Sequence, residues 1–147
     1  MVSASLKRAG INLKVVKYEK ILGIDVAGGG KRIVKTQKHR LKKAGIRTKS
    51  IKFLASRFRG ARKLFNTGAI PQATWGFESF GFANTVINKI RVMAGHASGI
   101  ATAGRCLTTA IALAYGPHND PMISLFIKQI VSFAKTMAKR AHGRKMG

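Results

Sequence analysis

The chain has 147 residues, with 28 Lys or Arg against 4 Asp or Glu, a net charge of +24 and a pI near 11.7. That length holds one domain, or one small domain with tails. A hydrophobic share of 46% excludes a disordered basic tail, which lacks the apolar area to offset ordering entropy.

The first residues alternate loosely, with Ile11, Leu13 and Val15 separated by Asn12 and Lys14. No apolar run follows Lys7 and Arg8, so no secretory leader is read. Lys20–Val26 (KILGIDV) reads as a short strand closed by Gly28, Gly29 and Gly30, and a neighbouring strand would complete a hairpin. From Lys31 the period becomes helical. Ile33, Val34, Gln37, Leu41 and Ala44 share one face, and Gly45 is expected to stop that helix.

A second helix is expected over Ser50–Asn66, with Ile51, Leu54, Ala55, Phe58, Ala61, Leu64 and Phe65 as its apolar stripe. Phe53 falls off that stripe, at the edge of the core or against a partner. Thr67-Gly68 ends the helix, and Pro71 starts the next. Trp75, Phe77 and Phe80 read as core, with base stacking as the rival reading. Further helices are expected over Asn84–Ala94, Arg105–Tyr115 and, capped by Asp120-Pro121, onward to His142. The last turns Ile123, Phe126, Ile127, Ile130, Ala134 and Met137 inward. Gly95–Gly104 gives no structural signal. The longest uncharged runs, Leu64–Phe77 and Cys106–Asn119, are fourteen residues each, short of the ~20 a membrane-crossing helix needs.

Little in the chain suggests catalysis. The four acids, Glu19, Asp25, Glu78 and Asp120, form no pair by spacing. The single Cys106 has no partner for an internal disulfide, points to a reducing compartment, and reads as a small buried thiol in an apolar helix. His39, His96, His118 and His142 show no metal-ligand spacing, and no cofactor is implied. The glycine run fails the phosphate-loop pattern: Lys31 is followed by Arg32, and Asp25 stands where the first Gly belongs. It is a flexible turn, or a turn that holds one phosphate.

Charge carries the functional reading. Fourteen Lys or Arg and no acid lie between Lys31 and Lys63. A solvated helix face normally interleaves acids; this one has none, so it is expected to meet phosphates. The candidate contacts are Lys31, Arg32, Lys35, Lys38, Arg40, Lys42, Lys43, Arg47, Lys49, Lys52, Arg59 and Lys63. Such contacts confer affinity and salt dependence without sequence readout.

Several segments resemble one family. Lys20–Val26 looks like the strand that follows the palm of reverse transcriptases. Lys63–Glu78 (KLFNTGAIPQATWGFE) is similar to the thumb segment of LINE-type, non-LTR reverse transcriptases. Gly104–Tyr115 and Asp120-Pro121 look like its continuation in protist retroelements. The resemblance covers about residues 18–135 and implies a thumb that grips primer–template through phosphates. The palm's Asp-Asp motif is absent, and two-metal phosphoryl transfer needs those carboxylates. The resemblance therefore implies a thumb-like fragment with no polymerase activity of its own.

The expectation is a mainly α fold of five or six helices with a short N-terminal β-strand or hairpin. An arm spans 1–30, a helical nucleic-acid-binding domain 31–142 and a basic tail 143–147. The expected function is sequence-tolerant binding of RNA or an RNA–DNA hybrid through a basic helix pair, inside the cell. Two rivals remain: a structural protein of a ribonucleoprotein such as a ribosome, and a non-catalytic reverse-transcriptase part beside a separate palm. Membrane contact ranks last.

Overall fold

The structure is a computed structural model describing residue 10 and residues 18–28, 33–101 and 103–143, without the side chains of 18, 79, 80 and 141–143. The expected pattern over Ile11–Val15, the glycines 29 and 30, the cations Lys31 and Arg32, and the end of the basic tail lie outside the described residues. The chain forms two units, 1–36 and 37–147. It is mainly helical with a short N-terminal hairpin, as its periodicity requires.

In the first unit the expected single strand is two. β1 (Tyr18–Ile21) turns at Leu22-Gly23 and returns as β2 (Ile24–Ala27), with Tyr18 opposite Ala27 and Ile21 opposite Ile24. Gly23 was the missed signal. A two-residue hairpin turn with positive φ at both positions matches the right-handed strand twist, and here φ is 50° at Leu22 and 80° at Gly23. Leucine pays a steric cost in that conformation that asparagine and glycine largely escape. Leu22→Asn is therefore expected to stabilise the hairpin by about 0.5–1 kcal/mol, read as slower amide exchange across β1 and β2.

Asp25 is committed to structure. Its carboxylate accepts the Thr36 backbone N–H at 2.7 Å and the Thr36 hydroxyl at 2.6 Å. Thr36 stands in the first turn of α1 (Lys35–Arg57), where backbone N–H groups lack helical partners and a negative charge is favourable.

α1 runs through Gly45 and merges the first expected helix with most of the second. Ala44, Thr48, Ile51 and Ala55 recur at helical spacing and are all buried, so continuous packing outweighs the ~1 kcal/mol that one glycine costs. The helix ends at Phe58, whose backbone is extended (φ −127°, ψ 104°). Phe58 and Leu64 consequently leave the expected stripe and are exposed, as is Leu54 on the helix itself.

A 3-10 turn (Arg59–Arg62) follows, then a π-helical turn (Phe65–Ala69) in which the Ile70 N–H reaches back five residues to the Phe65 carbonyl. Gly68 thus widens the helix instead of ending it. The chain continues directly into α2 (Ile70–Thr74), with Pro71, which has no N–H to donate, in its first turn. A single turn, α3 (Phe77–Phe80), leads to α4 (Asn84–Ala97), α5 (Leu107–Tyr115), a 3-10 turn (Pro117–Asn119) and α6 (Pro121–Gly143).

Two apolar clusters hold the second unit. One joins Ile51, Phe65, Ala69, Ile70, Ala94, Ala97 and Ile111. The other joins Phe77, Ile90 and Leu125, with Met93 packed against both. Asp120 behaves as the sequence implied. Its carboxylate accepts the Met122 N–H at 2.9 Å at the start of α6 and pairs with Arg91 of α4, also at 2.9 Å. Arg91 in turn donates to the Thr108 hydroxyl of α5 at 2.7 Å, so one buried acid links three helices. In the segment without sequence signal, Gly99 has φ +69°, and a Cβ there would meet the Ala55 backbone at 3.0 Å. Only glycine permits that approach to α1.

α6 departs furthest from expectation. Leu125 is 2% exposed and docks the helix, yet Ile123, Phe126, Ile127, Ile130 and Met137 all face outward. At 3.6 residues per turn these five share one wide face, and Leu125 lies on the other with Lys128, Gln129 and Ser132. The helix therefore packs by its more polar side, and none of the described residues buries its apolar side.

Candidate nucleic-acid interface

The expected basic helix pair is one helix with a basic 3-10 turn after it. Lys38, Lys42, Lys43, Lys49 and Lys52 are exposed along α1, and Arg59 and Lys63 are exposed beyond it. Lys42 and Lys49 lie across the helix from the buried Ala44–Ala55 stripe, with Lys38 and Lys52 at its flank. Lys35 opens the helix in the first unit.

Two of the expected contacts are tied to the fold. The Arg40 guanidinium donates to the Trp75 carbonyl at 3.1 Å, and Arg47 donates to the Gly68 carbonyl at 3.4 Å. Both reach the aromatic and π-helical segment that sequence likeness singled out. Trp75 corrects its own expectation: the residue is 64% exposed, whereas Phe77 is buried and stacks on Phe82 at 5.3 Å. Trp75 (φ −54°, ψ 124°) ends α2 just before Gly76 (φ 78°), and the chain returns to the core at Phe77.

Two cavities border the cationic face. One, of about 280 Å³, is lined by Lys38, Lys42 and Lys89 over an apolar floor of Leu41 and Met93. Lys89 comes from α4, and no local pattern links it with α1. The second, of about 290 Å³, is lined by Lys49, Lys52, Phe53, Ser56 and Gly99. Arg57, absent from the expected contacts, lies over the Phe53 ring with its guanidinium carbon 4.5 Å from the centroid.

Three of the four acids are engaged elsewhere. Asp25 is bound to Thr36, Asp120 to Arg91, and Glu78 lies 3.4 Å from the Ser132 hydroxyl. Among the described residues no carboxylate pairs with Lys38, Lys42, Lys49 or Lys52. His96 adds no charge at neutral pH, because burial foremost, then Arg105 and Lys52, lower its pKa below 6.5.

Cys106 is exposed, in an extended residue just before α5, and not in the buried helical position expected of it. No close side-chain cap forms, but the Thr109 backbone N–H foremost, aided by Thr108, lowers the thiol from an ordinary 9.0 to about 7. Alkylation by iodoacetamide is therefore expected to be half-maximal near pH 7, since the thiolate is the nucleophile. A rate still climbing steeply above pH 8 would contradict this.

Among the described residues, no group of three His, Cys, Asp or Glu side chains is placed to hold a metal ion, and no helix is long and apolar enough to cross a membrane. Comparison with protein-family models, curated proteins and solved structures finds no match for the chain.

Proposed function

We propose that this protein binds nucleic acid without sequence preference, RNA foremost, through the exposed cations of α1, the turn that follows it and Lys89. The observation that carries the reading is the uncompensated charge of that face. With Asp25, Glu78 and Asp120 engaged at Thr36, Ser132 and Arg91, an external polyanion or salt is left to neutralise the face. A phosphodiester chain supplies charge at regular spacing, and a helix of this length offers cations along about 30 Å.

The likeness of Lys63–Glu78 to a reverse-transcriptase thumb supports reading the module as a catalytically inactive, thumb-like grip. In that reading an RNA–DNA hybrid is a further ligand, and a separate palm a further partner. One observation favours a second reading, a structural protein of a ribonucleoprotein: the uncovered apolar face of α6, which such an assembly would cover.

Lysine acetylation footprinting tests where binding occurs. On adding single-stranded RNA, Lys38, Lys42, Lys49, Lys52 and Lys89 are expected to be protected, while Lys128, Lys135 and Lys139 on α6 stay reactive. The reverse pattern would move the interface to α6.

A further inference from the structure

We infer that the cationic face takes its strand single, with an unpaired base stacked on Phe53 and a second on Phe58. This rests on the nucleic-acid reading above and narrows its ligand from nucleic acid in general to unpaired strands. Phe53 is 58% exposed and Phe58 69%. One exposed aromatic residue needs no explanation. This pair differs because of its surroundings.

Phe53 lies across the helix from the buried stripe, in line with Lys42 and Lys49, so no rearrangement of side chains brings it into the core. It borders the cavity formed with Lys49, Lys52, Ser56 and Gly99. Arg57 covers one face of the ring, and a base on the other face completes a cation–ring–base stack. Phe58 stands where α1 breaks, between Arg57 and Arg59.

Cations tracking a backbone, with aromatic rings beside them, are the elements of sequence-tolerant single-strand binding. The faces of bases in a duplex are already stacked, so the rings favour a strand whose bases are free. On α1, Lys42 and Phe53 are about 16 Å apart, so backbone and base contacts fall on different nucleotides.

The test compares an oligouridylate of about twelve nucleotides, a hybrid duplex of the same length and linear polyphosphate of matched charge. The wild-type chain is expected to prefer the oligouridylate to the hybrid. Phe53→Ala is expected to weaken oligouridylate binding by about 5- to 150-fold and leave polyphosphate binding and the salt dependence unchanged. Phe53→Leu, which keeps an apolar side chain but removes the ring face, should lose affinity similarly, and Phe58→Ala likewise. Circular dichroism confirms that each variant is folded. Equal affinity of wild type and variants for oligouridylate overturns the inference while leaving phosphate binding intact. Failure of the wild type to bind any of the three anions would overturn the underlying reading instead.

Discussion

Leu125→Ala is expected to destabilise the helical unit by about 2–5 kcal/mol, whereas Ile130→Ala on the same helix should cost less than about 0.5 kcal/mol. The two residues have similar volume and apolar character, and the sequence pattern alone ranks Ile130 as the more buried. The structure reverses that order. Leu125 is 2% exposed and packs with Phe77 and Ile90, and its truncation leaves a cavity that fixed helices cannot close. Ile130 is 66% exposed, so its truncation removes surface that already meets water. Urea denaturation of both variants gives the comparison, provided their m-values match that of the wild type. Equal losses would mean that a partner covers the apolar face of α6 in solution.

Replacing Lys38, Lys42, Lys49 and Lys52 together with Gln is expected to lower nucleic-acid affinity about a thousandfold near 0.1 M salt. Each phosphate contact on a single strand contributes about 0.7 to the slope of log affinity against log salt. Four lost contacts then flatten the slope by about 3, which an electrophoretic or anisotropy titration resolves. The folded state should hold or improve, because four like charges leave one face and no ion pair among the described residues is broken. The same change at Lys128, Lys135, Lys139 and Arg140 on α6 is the control. It removes equal charge from elsewhere, so an equal loss would indicate that net charge alone, with no defined face, attracts the polyanion.

The helical class, the N-terminal β element and the α6 cap could be read from local pattern, because helical period, glycine position and the Asp120-Pro121 pair act within a few residues. The merging of two expected helices through Gly45 could not. It depends on Ala44, Thr48, Ile51 and Ala55 packing against distant elements, and that packing outweighs a local preference. The orientation of α6 was hidden for a related reason. Periodicity finds an apolar face but cannot say whether the chain supplies anything to cover it. Leu125, on the polar side, is the residue that finds the Phe77–Ile90 cluster.

Of the expected site, the exposed lysines were legible as a charge run. Arg40 and Arg47 were indistinguishable from them, since their ties to the Trp75 and Gly68 carbonyls span 35 and 21 residues. Lys89 entered only through tertiary proximity to Lys38 and Lys42. The exposure of Phe58 follows from the break in α1, which has no glycine or proline at the breaking residue to announce it.

The most direct measurement is the affinity of the unmodified chain for single-stranded RNA across a salt series. With six to eight phosphates neutralised, log affinity should fall against log salt with a slope of about −4 to −6, whatever the base sequence. A slope near zero, or no binding at low salt, would contradict the claim that this acid-free helix is held in the cell by a sugar–phosphate chain.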